Sequence, residues 1–209
     1  RPARAAAAPK PADAVAVTAA RYRVVIDPRA DVFTVRAEFT LPQGRDTVLL
    51  SLPAWSPGDY AINNYARWVH GVRAEADGHP AFWDKLDKDT WRIATGGARS
   101  VALEFETNPD SMMLQFSGIT SDFAWLNGTN VLVYPEGTDY QFAADVEIVV
   151  PDGWRVATGL DHQGGRIYRA ANYHDLVDSP IFAGRLSIDS TTVDGRTVRL
   201  ALYPDSAMT

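Results

Sequence analysis

Apolar and polar residues alternate along most of this chain with the period of a β-strand. Phe33, Val35, Ala37, Phe39 and Leu41 are interleaved with Thr34, Arg36, Glu38 and Thr40. Successive side chains of an extended strand point to opposite faces, so one set belongs to a core and the other to solvent. Val101, Leu103 and Phe105 repeat the pattern against Ser100, Ala102, Glu104 and Glu106. Val146, Ile148 and Val150 do so against Asp145, Glu147 and Val149. Turn-forming residues separate the runs. Asp27-Pro28 lies between a strand at residues 22–26 and one opening at Val32, and Pro42-Gln43-Gly44, Asp77-Gly78, Gly96-Gly97, Pro151-Asp152-Gly153 and Gly164-Gly165 close others. Asp194-Gly195, between residues 190–193 and 197–203, suits a two-residue hairpin turn in which both central positions accept φ > 0.

This punctuation predicts an all-β fold, an antiparallel twisted β-sandwich of about ten to twelve short strands. Helical periodicity is nearly absent, with one or two turns predicted within residues 60–68 and another over 173–177. Residues 1–13 are mostly Ala, Pro, Arg and Lys and are expected to form a disordered leader of the kind that follows a removed export signal, which favours a periplasmic or secreted location. Residues 14–209 are expected to form a single β-sandwich domain.

Charge and composition narrow the function classes. Among 209 residues, 20 Lys and Arg stand against 26 Asp and Glu, a net charge of −6. Without a basic block the chain is not expected to take nucleic acid as a partner, because phosphate binding needs clustered Lys and Arg. No apolar run approaches the ~18 residues of a spanning helix, so no membrane partner is expected. There is no cysteine, which removes disulfides, a thiol nucleophile and sulfur-ligated metal sites.

Catalytic patterns are missing in turn. His70, His79, His162 and His174 have no second histidine at i+4, so the zinc-binding H-E-x-x-H arrangement has no counterpart. No G-x-S-x-G elbow supports a serine triad, and the paired Gly residues are hairpin turns rather than phosphate loops. Asp84, Asp87, Asp89, Asp175 and Asp178 suit turn caps. Asn127-Gly128-Thr129 matches a glycosylation sequon but is equally a favoured turn. Six tryptophans (Trp55, Trp68, Trp83, Trp91, Trp125 and Trp154) supply large apolar area for a core or for a surface platform.

Two segments carry more shape than a core needs. Residues 52–67, Leu-Pro-Ala-Trp-Ser-Pro-Gly-Asp-Tyr-Ala-Ile-Asn-Asn-Tyr-Ala-Arg, use two prolines and a glycine to fix a bent loop that delivers Tyr60, Asn63, Tyr65 and Arg67. Residues 172–180, Asn-Tyr-His-Asp-Leu-Val-Asp-Ser-Pro, form a polar irregular loop. Long shaped loops carry binding functions more often than strands do.

The first segment resembles the L-P-x-W-x-P-G-x-Y-x-x-x-x-Y/F-A-R signature of the glycyl-aminopeptidase family, family 61 of the metallopeptidases. Trp91-Arg92-Ile93, Leu126-Asn127-Gly128-Thr129, the block from Gly153 to Leu160 and the loop Tyr173–Pro180 with Gly184 resemble further family segments, in family order. The resemblance implies the family's N-terminal domain, a twisted β-sandwich akin to the saddle of larger zinc aminopeptidases. Complete members continue into a thermolysin-like domain carrying H-E-x-x-H, and commonly a PDZ-like domain. No catalytic residue is therefore carried over to this chain. Zinc is expected in a catalytic domain absent from it, and the chain alone is expected to be inactive.

The implied partners are that catalytic domain and the amino terminus of a peptide substrate. Candidate interface residues are Trp55, Tyr60, Asn63, Tyr65, Arg67, Asn127, Thr129, Asp178 and Ser179. The alternative is a stand-alone carbohydrate- or protein-binding sandwich that uses its aromatic residues as a platform.

Overall fold

A computed structural model describes residues 15–108 and 115–203, and residues 1–13 lie outside that set. Among the described residues, eighteen strands follow in chain order. The first six are β1 (Ala19–Asp27), β2 (Val32–Thr40), β3 (Thr47–Ser51), β4 (Val69–Ala76), β5 (His79–Pro80) and β6 (Trp83–Lys85). Then come β7 (Thr90–Ala94), β8 (Ser100–Thr107), β9 (Gly118–Ile119), β10 (Phe123–Leu126), β11 (Tyr134–Pro135) and β12 (Ala144–Val149). The last are β13 (Arg155–Thr158), β14 (Asp161–Gly164), β15 (Ile167–Ala170), β16 (Ile181–Gly184), β17 (Ser187–Val193) and β18 (Arg196–Leu202). One short helix, α1 (Tyr173–Val177), and two 3₁₀ turns, Tyr65–Trp68 and Gly128–Asn130, interrupt them. The all-β prediction holds. The strands outnumber the expected ten to twelve because pairs as short as β5, β9 and β11 leave no periodicity in the sequence.

The strands form an eight-stranded sheet in the order β14-β15-β12-β1-β2-β8-β4-β5, two four-stranded sheets, β13-β16-β10-β9 and β11-β3-β7-β6, and the separate hairpin β17-β18. The alternation in β2 sets its register: Phe33, Val35, Ala37 and Phe39 are fully buried, opposite Thr107, Phe105, Leu103 and Val101 of β8 and their neighbours. One pairing departs from the antiparallel expectation. β1 and β12 run parallel at the centre of the large sheet, with Ala20 opposite Ala144 and Val24 opposite Ile148. Turn signals announce antiparallel neighbours, and a parallel neighbour brought in from so far along the chain has none.

Trp91 of β7 stacks on Phe105 of β8 at 6.2 Å and so joins two sheets, while within the large sheet Tyr22 of β1 meets Phe39 of β2 edge-on at 5.7 Å. The two-residue hairpin turn at Asp194-Gly195 forms as expected, with φ of 49° and 75°. The Asp77-Gly78 turn joins β4 to β5 with 47° and 76°, whereas Gly96-Gly97 links β7 and β8 of different sheets and is not a hairpin turn. The turn expected at Gly164-Gly165 falls one residue later, on Gly165 and Arg166, because Gly164 still pairs with Ile167. On the polar side of the large sheet, Arg23–Glu147, Arg36–Glu75, Arg73–Glu104 and Arg169–Asp145 pair across strands. Exposed pairs of this kind contribute little each.

Candidate functional site

Three loops meet at one end of the β13-β16-β10-β9 sheet. The prolyl loop closes on itself. The N–H groups of Asn63 and Asn64 both donate to the Ala54 carbonyl, at 2.8 and 3.0 Å, and Asp59 N–H donates to the Ser56 carbonyl at 3.1 Å. Gly58 and Asn64 supply the positive φ values, 86° and 49°, that so tight a loop needs. The second loop is the Gly128–Asn130 turn after β10, capped by Asn127, whose side-chain oxygen accepts from Thr129 N–H. This is the turn reading of the Asn-Gly-Thr triplet. The third is α1, capped by Asn172 through Asp175 N–H at 2.8 Å and followed by Asp178, Ser179 and Pro180. Gly128 joins the last two: a Cβ there would stand 2.7 Å from the Cα of Val177. Only glycine allows so close an approach.

A chain of hydroxyl and amide groups ties the loops from beneath. Asn127 Oδ1 accepts both the N–H and the hydroxyl of Thr129, at 3.1 and 2.7 Å. With its proton so engaged, Thr129 Oγ1 accepts from Ser56 Oγ, its other close hydroxyl neighbour. Ser56 Oγ in turn accepts from Tyr65 Oη at 2.8 Å, and Tyr65 Oη accepts from Asn63 Nδ2 at 3.2 Å. Asn63 Nδ2 also reaches Asp59 at 2.6 Å. Every proton along the series then has one direction. Ser56, Tyr65 and Thr129 are all buried, so the network is shut off from competing water.

Above this network lie two hollows that share Pro57 and Val177. The first, about 440 Å³, is lined by Ser56 to Asp59, Gln115, Trp125, Asn127, Val177, Asp178 and Pro180. The second, about 470 Å³, adds Trp55, Asp87, Asp89, Thr129, Tyr134, Glu136, Tyr140, Tyr173 and His174. Three carboxylates and one histidine make the second hollow acidic, and its rings pack closely. Tyr134 lies 5.4 Å from Tyr140 and 5.2 Å from Tyr173, and Tyr140 lies 5.2 Å from His174. Tyr140 is held at φ 63°, a conformation uncommon for a bulky residue, and its carbonyl accepts from Tyr173 N–H at 3.0 Å. Burial, with Glu136 nearby, raises the phenols of Tyr134 and Tyr140 above their ordinary range, so both are neutral donors. The Tyr173 hydroxyl donates to the Leu132 carbonyl at 2.6 Å, fixing the segment that follows the Gly128–Asn130 turn.

Asp89 stands out in the second hollow. Its Oδ1 is closed off from solvent and has no hydrogen-bond partner among the described residues. Desolvation, reinforced by the Asp87 carboxylate and opposed by Lys85 and Lys88, raises its pKa. A carboxyl with a raised folded-state pKa weakens the fold as pH rises and it ionises. Asp89→Asn is therefore expected to raise the thermal midpoint at neutral pH by about 1–3 °C. The gain should vanish below the ordinary carboxylate range, where the wild-type side chain is protonated. Thermal scans of both proteins across pH check the sign.

The sequence-derived candidates divide by position. Asn127 and Asp178 line the first hollow, and Trp55 and Thr129 the second. Tyr65, Asn63 and Thr129 belong to the network beneath, Tyr65 being fully buried. Ser179 is half-buried behind α1, its Oγ 3.7 Å from where a Cβ on Gly159 would stand. Tyr60 is fully exposed at the loop tip and Arg67 stacks on Trp68 at 4.0 Å, so neither lines a hollow. Ser56, Asp89, Trp125 and Tyr140 were not among the candidates. The sequence around Asp89 predicts a turn cap, and Tyr140 lies in a stretch without any motif. Among the described residues, no group of three or more His, Cys, Asp or Glu side chains is placed to hold a metal ion.

The fold is one found in zinc peptidases. An aminopeptidase N family protein from Idiomarina loihiensis superposes with a TM-score of 0.80 at 24% identity, over 89% of this chain and 32% of its own. An M1 zinc metallopeptidase mutant from Deinococcus radiodurans, bound to a Tyr-Ser-Ala substrate, gives 0.56 at 11% identity, over 90% of this chain and 47% of its own. This chain thus spans a third to a half of the length of those proteins. No curated protein matches it. The family model of the peptidase M61 N-terminal domain matches residues 21–185, and the chain belongs to that family.

Proposed function

We propose that this chain is the non-catalytic N-terminal domain of a zinc-dependent aminopeptidase, forming one wall of its substrate cleft and docking on its catalytic domain. The observation that carries this reading is the convergence of the prolyl loop, the Gly128–Asn130 turn and α1 on one cleft, held by a directional network that plain core packing does not need. The acidic, tyrosine-lined hollow complements the positive charge of a peptide's amino terminus. Zinc and its ligands are assigned to the catalytic domain. The N-terminal domain contributes shape and charge.

The β17-β18 hairpin supports the docking half of the proposal. Its register places Val193, Val198, Leu200 and Leu202 on one face, beside Ser187, Asp189, Thr191 and Arg196, and each of the four apolar residues is at least half exposed. An exposed apolar group of this kind suits an interaction surface. Leu200→Asp with Leu202→Asp is expected to leave the thermal midpoint of the 209-residue chain unchanged within about 1 °C, since surface changes seldom exceed ~0.5 kcal/mol. In the parent enzyme the same pair should loosen the two domains, seen as limited proteolysis between them and loss of chelator-sensitive release of amino-terminal residues. Unchanged activity and protease resistance would refute the docking face. The alternative, a stand-alone binding module, rests on the exposed Trp55 and Tyr60. Saturable oligosaccharide binding that Trp55→Ala abolishes would favour it.

A further inference from the structure

A second concave site lies at the opposite end of the β13-β16-β10-β9 sheet from the cleft. β10 and β16 run from one to the other: Asn127 and Pro180 flank them at the cleft, Ser121 and Arg185 at this groove. The groove has a volume of about 720 Å³. Three arginines line it, each from a turn whose backbone is fixed. Arg29 follows Asp27, whose carboxylate accepts the N–H groups of Arg29 and Ala30 at 2.9 and 3.3 Å. The Arg166 carbonyl accepts from Ile148 N–H at 2.9 Å, and Arg185 N–H donates to the Asp122 carbonyl at 3.2 Å. Arg185 lies against the turn before Trp154, its Nη1 3.9 Å from where a Cβ on Gly153 would stand.

These guanidinium groups differ from four on the strands of the large sheet. Arg23, Arg36, Arg73 and Arg169 each pair with a carboxylate. Among the described residues, the guanidinium groups of Arg29, Arg166 and Arg185 make no hydrogen bond or ion pair. Asp27, whose carboxylate accepts backbone N–H groups, and Asp152, exposed on its turn, bring two negative charges to the groove without pairing with an arginine, so its lining carries a net charge of +1. In a chain of net charge −6, three unpaired arginines around one hollow form a local positive site. Half-buried Val25 and Val150, with the exposed edge of the largely buried Trp154, give the hollow an apolar side.

We infer that this groove binds a small organic oxyanion, a carboxylate or phosphate head held by the arginine forks with an apolar body against Trp154. Guanidinium groups favour planar, bidentate contact with such heads, and the volume is that of a small-molecule site rather than of a bare ion. The site is independent of the peptidase reading.

Calorimetric titration of the 209-residue chain with phenyl phosphate, benzoate, inorganic phosphate and benzyl alcohol tests the inference. Phenyl phosphate, benzoate or both should bind, inorganic phosphate more weakly, and the uncharged alcohol at least about tenfold more weakly. The ratio of the first two identifies the head group. Replacing Arg29, Arg166 and Arg185 together by Gln should reduce affinity about tenfold or more, with an unchanged thermal midpoint. Arg166→Gln alone, on an exposed turn, should weaken binding severalfold. Backbone amide shifts on titration should centre on residues 25–29, 149–154, 166 and 185. The inference is overturned if neither aromatic anion binds at millimolar concentration, if benzyl alcohol binds as well as they do, or if the arginine variants keep wild-type affinity.

Discussion

Replacing Gly128 by alanine lowers the midpoint of thermal unfolding by about 5 °C, the effect of roughly 2 kcal/mol on a chain of this size. The added Cβ would meet the Cα of Val177 at 2.7 Å, and the carbonyl oxygens of Val177 and Leu176 at 3.2 and 3.3 Å. All three are backbone atoms, so no side chain can rotate away. Either α1 retreats or the turn does, and both movements disturb Asn127 and Val177, which line the first hollow. Gly159→Ala is the control. Its Cβ meets nothing nearer than Ser179 Oγ at 3.7 Å, so its stability should change by no more than about 0.5 kcal/mol. Equal effects at the two glycines would show that close approach to Val177 does not govern position 128.

The second large effect is at Thr129. Valine keeps the shape and removes the hydroxyl, which accepts from Ser56 and donates to Asn127. A buried donor in the Tyr65–Ser56 series then has no acceptor, a loss of about 1–3 kcal/mol. Thr129→Ser retains the hydroxyl and should be less costly than Thr129→Val. Tyr65→Phe removes the same series at its other end, so the double variant should fall short of the sum of the singles by about 0.5 kcal/mol or more. Urea unfolding of the four proteins completes the cycle. Strict additivity would mean that the groups do not act as a unit.

The large sheet was legible because its central strands alternate apolar with polar positions. The strand of Phe33, Val35, Ala37 and Phe39 has a single register that buries all four, and turns such as Asp77-Gly78 carry their own geometry. The prolyl loop and α1 were legible for a similar reason, since prolines, glycines and caps act over a few residues. The network beneath the cleft was not. Ser56 and Thr129 lie 73 residues apart, and nothing in either neighbourhood names the other. Tyr65 shows the limit most clearly: its motif marked it as important, while its complete burial places it in the support of the cleft and not on its surface. Asp89 had the composition of an ordinary turn residue. Only the folded structure shows that one of its oxygens is closed off from solvent without a partner among the described residues.

The side-by-side alignment of β1 and β12 has a consequence for biosynthesis. As the polypeptide leaves the ribosome, β1 and β2 can zip together early, but the other rim of β1 stays bare until β12 emerges more than a hundred residues later. Synthesis slow enough to prolong that interval leaves a sticky rim available to neighbouring nascent chains, and pairing between distant segments is intrinsically slow. Chains halted before Ala144 should therefore need a holding chaperone to stay dispersed, whereas those released after Val149 should not.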